Sequence, residues 1–464
     1  MSRRRRWPLG LSLIALIGSV ALVPIPPQRA ASADVAAVPS PPNILIINTD
    51  DQRYAETLAV MPHVRSFFGQ GGTEFTNAMV TTSLCCPSRT SMFSGRYSHN
   101  TGITGNGLTD LVASFDQDAT IQGYLQDGGY NTAIVGKFLN TYPLSRDPLN
   151  WNRWATFTGG YNNPSFNVDS TVRSTSGYYA GSMGTYATTF LRDFEAQDAK
   201  PWLLYVAPQA PHSGYVPEGK YANAAVPPAV HPPSWNESDV SDKPKQVRWR
   251  SLVSTTDYDT RRTQMLRTLM SVDDLVDQIT AQMATLGETS DTLAIFTSDN
   301  GYMWAEHRIM DKRFPYLESV EVPLLVRWPG HVAAGATSPE LVTQVDLLPT
   351  LLEAAGISPS LRYPLDGQSI VSATPRSEVL LEYFKSSDSK LAPWASLRGP
   401  TWQYTEWYDT ATGALVFREY YDLVNDPYQL TNVLNDNVVG NEPDVAALHA
   451  RLTTARSCVG ANCP

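Results

Sequence analysis

The sequence predicts an α/β fold in which helices cover both faces of a large, mixed and mostly parallel sheet, with a smaller antiparallel sheet toward the C-terminus. Short apolar runs rich in β-branched residues alternate with stretches of helical periodicity, which is typical of a buried parallel sheet. After Gly356 the pattern changes, and strand-like runs follow one another closely. The length of 464 residues allows one large domain and a smaller unit.

The clearest buried strands are predicted at 43–48 and 292–297, where the apolar runs contain no charged residue. The clearest helix is predicted at 261–286, because apolar residues recur there at helical spacing until Gly287. Weaker patterns predict strands at 131–135, 201–207, 322–328, 378–384, 401–407 and 415–421, and helices at 344–355 and 445–456.

The first 42 residues are predicted to lie outside the folded unit. Arginines at 3–6 precede an apolar run at 9–23 and a small-residue motif at 31–33, as in a signal peptide at 1–33, and a linker follows at 34–42. The arginines match a twin-arginine export signal in part. We therefore predict a secreted or periplasmic protein without stable membrane insertion after cleavage. In such an oxidising compartment, Cys458 and Cys463 can form a disulfide.

The formal net charge of −10 argues against a nucleic-acid partner, because phosphate binding needs a basic surface. The same charge repels small anions at long range. Any sulfate or phosphate group must therefore be held by a local cluster of cations.

A Cys-Cys-Pro-Ser-Arg motif at 85–89 is the most distinctive feature of the chain. Proline is favoured at the first helical position, so the motif predicts a helix start. Ser88 and Arg89 would then lie one turn after Cys85 on the same face. A helix N-terminus and a guanidinium both favour an anionic nucleophile and an anionic substrate. By itself, the motif is also compatible with a structural cysteine pair, a disulfide or a plain thiol site.

Oxygen-bearing side chains directly follow the two clearest strands. Asp50 and Asp51 follow the first strand, and Asp299 and Asn300 follow the second. Open α/β sheets place their sites at the carboxyl ends of strands, and adjacent carboxylates repel each other unless they are solvated or bridged by a cation. Four such ligands suit Ca²⁺ or Mg²⁺ better than zinc. Solvated turns are the alternative interpretation of each pair.

Candidate anion-binding residues follow other predicted strands. Lys137 follows the strand at 131–135, His212 follows the strand at 201–207, and His307 and Lys312 come shortly after Asp299. Taken singly, each could be a solvated lysine or a structurally hydrogen-bonded histidine. Their common placement after strand ends predicts a cationic cluster at one edge of the sheet.

Two stretches are candidates for substrate walls. Residues 151–179 are rich in aromatic side chains, and residues 208–244 are rich in proline. Aromatic residues on loops above a rigid sheet can stack on sugar or aryl rings. They can equally pack against neighbouring loops, and the sequence leaves both interpretations open.

Together these motifs resemble the sulfatase family. The resemblance rests on Cys-x-Pro-Ser-Arg followed by Gly95-Arg96, on the two acidic elements, and on the Gly-Lys, Pro-His and distal lysine elements in the same order, and it spans residues 43 to about 432. The runs at 84–89, 271–275 and 322–326 are similar to the N-acetylglucosamine-6-sulfatase branch.

The resemblance implies an alkaline-phosphatase-like fold, with a sulfatase catalytic domain at 43–360 and a C-terminal subdomain at 361–464. It implies hydrolysis of a sulfated sugar or an aryl sulfate by formylglycine, which a formylglycine-generating enzyme makes from Cys85, beside bound Ca²⁺ or Mg²⁺. The implied metal ligands are Asp50, Asp51, the residue at 85, Asp299 and Asn300. The implied catalytic residues are Cys85, Arg89, Lys137, His212, His307 and Lys312, and the implied sulfate-binding residues are Lys137, Asn140, His212 and Lys312.

The chain departs from the family pattern at two places. Many members carry a histidine where this chain has Leu139, and Asn140 is the candidate replacement. Arg308 replaces the glycine of a Glu-His-Gly element, which leaves the role of His307 open.

Two other functions are compatible with the sequence. One is a formylglycine-dependent phosphonate or phosphate ester hydrolase of the same superfamily. The other is a non-catalytic, exported glycan-binding protein with an unmodified Cys85. A two-zinc phosphatase is disfavoured, because the chain has only seven histidines and most lie outside these motifs.

Overall fold

A computed structural model describes residues 41–107, 114–196, 199–372, 374–385 and 390–464. Residues 41–464 form one compact unit. The predicted signal peptide and nearly all of the predicted linker lie outside the described residues. Of the described helices, none combines the length and the apolar character that crossing a bilayer requires.

The main sheet has ten strands: β1 (Asn43–Thr49), β2 (Thr73–Met79), β3 (Asn131–Gly136), β4 (Arg153–Phe157), β5 (Ser165–Val168), β6 (Thr171–Ser174), β7 (Trp202–Ala207), β8 (Thr292–Ser298), β9 (Leu325–Arg327) and β10 (Ala336–Thr343). Their order is β10-β2-β9-β8-β1-β7-β3-β4-β5-β6. The central strands β8, β1, β7 and β3 are parallel, whereas β9, β5 and β6 run antiparallel to their neighbours. The predicted mixed, mostly parallel sheet is confirmed.

The described helices are α1 (Pro62–Val64), α2 (Cys85–Ser94), α3 (Ser98–Thr101), α4 (Ile121–Asp127), α5 (Tyr179–Glu195), α6 (Lys245–Arg248), α7 (Thr255–Leu286), α8 (Leu317–Val320), α9 (Leu347–Ala354) and α10 (Val445–Ala455). They cover both faces of the sheet. Leu45 and Ile47 pack with apolar residues of α5 and α7, whereas Ile44 and Ile46 pack with those of α2, α4 and α9. Because successive side chains of a strand point to opposite faces, an uninterrupted apolar strand such as β1 requires a core on each side.

Several predicted boundaries shift for local reasons. The long helix starts at Thr255 rather than near residue 261. The Ser254 side chain caps this start by accepting a hydrogen bond from the backbone amide of Asp257. The strand predicted at 322–328 is confined to β9, between Pro323 and Pro329, because proline cannot donate to a strand ladder. Strands β2 and β10 escaped prediction, since polar residues interrupt their apolar patterns.

A second sheet is antiparallel and has the order β11 (Val379–Tyr383), β12 (Trp394–Arg398), β13 (Trp402–Tyr408) and β14 (Leu415–Asp422). Three of these strands and α10 confirm the prediction, and β12 was missed. Leu448 and Leu452 of α10 pack with Leu397 and Tyr404 of this sheet. The predicted Cys458–Cys463 disulfide is present.

The aromatic stretch after residue 151 belongs largely to the main sheet. It forms β4 to β6, and Trp151, Phe157, Tyr161 and Phe166 are buried in the two cores beside the sheet. Of the two interpretations that the sequence left open, packing is therefore the one that the structure supports for these four side chains.

Candidate active site

The candidate site lies at the carboxyl ends of four adjacent parallel strands. Strand β1 leads into Asp50 and Asp51, β8 into Asp299 and Asn300, β3 into Lys137, and β7 into the segment carrying His212. Parallel pairing brings these strand ends to a single edge. At the end of β3, a Cβ on Gly136 would lie 2.2 Å from the Ala207 carbonyl oxygen. Glycine is therefore required where the chain turns toward Lys137.

Helix α2 directs the Cys85 motif into this edge. It begins at Cys85, whereas the position of Pro87 predicted a start two residues later. The first four amides of a helix have no intrahelical acceptor, so Pro87 loses no bond as the third residue. Ser88 and Arg89 lie one turn on, as predicted. The Ser88 hydroxyl donates to the Asp299 carbonyl, and Arg89 Nε donates to Asp299 Oδ2 at 2.8 Å. The motif is thereby tied to the end of β8.

The Cys85 sulfur lies between a carboxylate and an ammonium group. Cys85 is fully buried, and its Sγ is 3.7 Å from Asp50 Oδ1 and 2.9 Å from Lys312 Nζ. Ligand atoms of Asp50, Cys85 and His212 all lie within 4.8 Å of one another. The predicted nucleophile position thus adjoins the predicted acidic residues and two of the predicted cations.

Three carboxylates gather beside this sulfur. Oxygens of Asp50, Asp51 and Asp299 lie within 4.8 Å of one another, and Asn300 Nδ2 donates to Asp51 Oδ1 at 2.7 Å. Burial, and next the Asp50 charge, raise the pKa of Asp299. Like charges at this spacing are costly without a counter-cation. The oxygen-rich donor set therefore fits a hard divalent cation such as Ca²⁺ or Mg²⁺.

Cations surround the carboxylates. The Lys137 ammonium contacts Asp50, and the Lys312 ammonium contacts Asp51. A terminal guanidinium nitrogen of Arg89 lies 3.6 Å from Asp50 Oδ2. Burial would raise the pKa of Asp50, but Lys137, His212 and Arg89 hold that pKa well below its usual value. Asp50 in turn raises the pKa of His212 to about 9, so this histidine is largely protonated at neutral pH. With four cations against three carboxylates, the cluster is locally positive in an acidic protein.

Two predicted residues lie differently from the rest. The backbone N–H of Asn140 donates a hydrogen bond to Cys86 Sγ at 3.2 Å. The side-chain Oδ1 of Asn140 is buried without a hydrogen-bond partner among the described residues. His307 is buried, and its Nδ1 lies 2.6 Å from Glu237 Oε2. Within the described residues, no hydrogen bond or ion pair joins His307 to the cluster around Cys85. Its catalytic role stays a prediction.

The sequence did not indicate some of the residues that hold the Cys85 motif in place. Gln344 Nε2 donates to Ser88 Oγ at 2.7 Å, and its Oε1 accepts from the Thr81 amide at 3.1 Å. The Tyr205 hydroxyl lies 3.5 Å from a guanidinium nitrogen of Arg89. An isolated glutamine or a core tyrosine gives no motif signal, so these contacts become visible only when distant segments are brought together.

Comparison with known proteins shows the family to which this chain belongs. A model of the sulfatase family matches residues 42–357, and a model of the C-terminal region of N-sulphoglucosamine sulphohydrolase matches residues 305–457. Human N-acetylglucosamine-6-sulfatase is 28% identical, over 92% of this chain and 87% of its own length.

Two solved structures share the fold. A protein in complex with its substrate D-glucosamine-2-N,6-O-disulfate has a TM-score of 0.77 at 21% identity, over 89% of this chain and 97% of that one. A phosphonate monoester hydrolase of Agrobacterium radiobacter has a TM-score of 0.68 at 21% identity, over 88% and 96% of the two chains.

The mixed, mostly parallel α/β sheet and the family match together define a hydrolase. The chain belongs to the sulfatase family and is a sulfuric ester hydrolase. The predicted similarity to the N-acetylglucosamine-6-sulfatase branch is confirmed.

Proposed function

We propose that this enzyme hydrolyses sulfate esters with a formylglycine derived from Cys85 as the nucleophile. The observation that carries the proposal is the position of Cys85 at the N-terminus of α2, with its sulfur 2.9 Å from Lys312 Nζ and 3.7 Å from Asp50 Oδ1. A nucleophile at this point faces both the acidic group and the cations that an anionic ester requires.

The proposed metal is Ca²⁺, with Mg²⁺ as the alternative. Asp50, Asp51, Asp299 and Asn300, together with the modified residue at 85, would hold it. When bound, it would supply Lewis-acid polarisation of a sulfate oxygen.

The cations of the chain are proposed to bind the sulfate group. Lys137, His212 and Lys312 provide charge-assisted hydrogen bonds to its oxygens and to the leaving oxygen, as negative charge moves toward the alcohol. Protonated His212 can donate its proton to that oxygen, which is consistent with its raised pKa of about 9. Arg89 holds Asp299 and Asp50 in position and adds positive charge beside the sulfate.

The proposed reaction has two steps. One hydroxyl of the hydrated aldehyde at 85 loses its proton and attacks sulfur, the bond from sulfur to the ester oxygen breaks, and the alcohol leaves with a proton. The second hydroxyl then loses its proton, and the carbonyl re-forms while sulfate is expelled. Water rehydrates the aldehyde. A serine at 85 would have one hydroxyl and would remain sulfated after a single attack.

The proposal extends to the substrate, the domain bounds, the export and the maturation of the protein. The substrate is a sulfated sugar or an aryl sulfate, and the similarity to N-acetylglucosamine-6-sulfatases supports a sulfated amino sugar. Residues 43–360 form the catalytic domain and 361–464 the C-terminal subdomain. The protein is exported by the signal peptide at 1–33 and is modified by a formylglycine-generating enzyme.

Peptide mass spectrometry across Cys85 tests the nucleophile. Conversion of a cysteine to formylglycine replaces the thiol with an aldehyde, and the mass of the peptide decreases accordingly. The variant Cys85→Ser should bind substrate but stop after at most one turnover. Sustained turnover by Cys85→Ser would contradict the proposed role.

Sulfate and phosphonate or phosphate monoesters of one leaving group test the specificity. The proposal expects a higher kcat/KM for the sulfate ester. A preference for the phosphonate or phosphate ester would favour the alternative hydrolase, whose fold is shared. An intact Cys85 thiol in protein matured in its native host, together with absence of hydrolysis, would favour a glycan-binding protein.

A further inference from the structure

A loop with an unusual backbone conformation carries Lys312 into the candidate active site. The loop spans residues 303–313 between β8 and α8, and we call it the Lys312 loop. Four of its residues other than glycine have a positive φ angle: Ala305 (72°), His307 (49°), Arg308 (65°) and Arg313 (81°). The left-handed region is sterically unfavourable for residues with a side chain, and such strain persists only where surrounding contacts impose it. The rest of the protein must therefore hold the Lys312 loop in place.

Both ends of the Lys312 loop are fixed by contacts next to the site. Near the first end, Glu306 Oε1 accepts a hydrogen bond at 2.7 Å from Arg53, which belongs to the segment that follows β1. At the second end, the Arg313 amide donates to Ser83 Oγ at 3.1 Å, shortly before α2. The Arg313 carbonyl oxygen accepts from Trp394 Nε1 at 2.8 Å. These contacts leave the middle of the loop to be held by other residues.

The middle of the Lys312 loop lies along the segment 234–238. The His307 amide donates to the Ser234 carbonyl oxygen at 2.8 Å, and the Asn236 amide donates to the Ala305 carbonyl oxygen at 2.8 Å. His307 Nδ1 also lies 2.6 Å from Glu237 Oε2. The conformation of the loop therefore depends on contacts with the proline-rich stretch at 208–244, which is distant in the sequence.

The Arg308 side chain extends this support. Its Nε donates to the Glu237 carbonyl oxygen at 2.8 Å, and its terminal nitrogens donate to the carbonyl oxygens of Ser238 at 2.8 Å and Arg250 at 3.4 Å. Glycine, which the Glu-His-Gly pattern places here, would adopt the same φ angle without steric cost but would make none of these side-chain hydrogen bonds. Because the guanidinium is planar and rigid, three such contacts fix its position. They thereby fix the backbone of the loop at residue 308.

Hydrogen bonding within the Lys312 loop connects Arg308 to Lys312. The Met303 amide donates to the Asp311 carbonyl oxygen at 2.9 Å, so the two sides of the loop are joined directly before the lysine. Lys312 Nζ in turn lies 2.9 Å from Cys85 Sγ. A displacement of about 1 Å at a reacting group can lower a rate about a hundredfold. Release of the loop at residue 308 would therefore reduce catalysis by moving the lysine.

We propose that Arg308 is a positioning residue that holds the Lys312 ammonium beside position 85. Its guanidinium binds the backbone carbonyls of residues 237, 238 and 250, and the Lys312 loop thereby keeps the strained conformation that points its lysine into the site. The inference rests on the proposed function. It adds a residue that, in the described part of the chain, forms no hydrogen bond or ion pair with the cluster around Cys85.

Three substitutions of Arg308 test this inference. Arg308→Gly removes the guanidinium and also relieves the backbone strain, whereas Arg308→Ala removes the guanidinium and keeps that strain. Arg308→Lys keeps a cationic donor. The matched control is Arg267→Ala on α7, because Arg267 is also half-buried and donates to two carbonyl oxygens of the proline-rich stretch, those of Ala224 at 2.9 Å and Ala222 at 2.6 Å. The measured quantities are kcat/KM for 4-nitrophenyl sulfate and the urea midpoint.

Arg308→Gly and Arg308→Ala should both lower kcat/KM by about 10- to 100-fold, although Arg308→Gly should be the more stable of the two. Arg308→Lys should lose less activity, because its ammonium still donates to a carbonyl oxygen. Arg267→Ala should stay within about twofold of the wild type. Activity that follows stability instead, with Arg308→Gly close to the wild type, would overturn the inference, and so would equal losses in Arg308→Lys and Arg308→Gly.

A double-mutant cycle with Lys312→Met identifies the group through which Arg308 acts. In the Lys312→Met background, Arg308→Ala should change kcat/KM by less than about twofold, because the lysine that the arginine positions is already absent. An equal loss in both backgrounds would show that Arg308 acts elsewhere, and the inference would then be wrong.

Hydrogen exchange decides the inference if the wild-type protein hydrolyses no sulfate ester, an outcome that would instead count against the proposed function. Arg308→Ala should speed exchange of the backbone amides of residues 303–313 by about tenfold, since the loop loses the contacts that impose its conformation. Arg267→Ala should leave exchange in this loop unchanged. Unchanged exchange in Arg308→Ala would show that the guanidinium does not hold the Lys312 loop.

Discussion

Replacing Arg89 with methionine tests the electrostatic balance of the site. The Arg89 side chain is fully buried. Its Nε donates to Asp299 Oδ2 at 2.8 Å, and another of its nitrogens donates to the Lys137 carbonyl oxygen at 3.0 Å. Methionine has a similar length but cannot neutralise Asp299. Removing one partner of a buried ion pair costs about 3–5 kcal/mol, because the remaining charge is left uncompensated.

We therefore expect Arg89→Met to lower the free energy of unfolding by about 3–5 kcal/mol, measured by urea denaturation at pH 7 in the presence of EDTA. The control is Arg192→Met, which removes an exposed arginine on α5 that forms a 3.2 Å hydrogen bond with Thr189, and which should cost less than about 0.5 kcal/mol. Saturating Ca²⁺ should restore part of the stability of Arg89→Met. A loss below about 1 kcal/mol in EDTA would refute the inferred role of the guanidinium.

Three further predictions follow from the same structure. Asp51→Asn removes one of the three clustered carboxylates, so calorimetry should show Ca²⁺ affinity at least about tenfold lower, whereas the exposed Asp257→Asn should leave it unchanged. Burial raises the pKa of Glu237 to about 7. The folded protein therefore favours the protonated carboxyl, and this contribution to stability is complete below pH ~4.5 and is lost as pH rises through about 7. The free energy of unfolding of wild type minus that of Glu237→Gln should fall by up to about 3 kcal/mol across that window, and a constant difference would contradict the assignment. Cys458→Ser/Cys463→Ser opens a short loop and should cost about 2 kcal/mol, whereas an unchanged urea midpoint would show that the disulfide does not contribute.

Prediction from sequence was most successful where one segment carries the whole signal. Strands β1 and β8 are uninterrupted apolar runs, so their burial and the acidic residues that follow them were visible locally. The Cys85 motif likewise marked the start of α2. Strands β2 and β12 gave weaker signals, because their stability comes from pairing with distant strands.

The aromatic stretch after residue 151 shows the limit of such reasoning. Aromatic residues among glycine, asparagine and serine fit both a sugar-binding wall and a packed edge of the sheet. The pairing of β4 with β3, which fixes the packing interpretation, joins segments whose proximity the sequence does not encode locally. The Glu237 partner of His307 was missed for the same reason.

The sequence by itself determined the class of fold and the types of residue available for chemistry, because apolar periodicity and short motifs are properties of contiguous segments. Only the tertiary structure decided which charges meet. Parallel pairing of β8, β1, β7 and β3 brings carboxylates and cations from four distant segments to one edge, and burial there makes each charge depend on its neighbours.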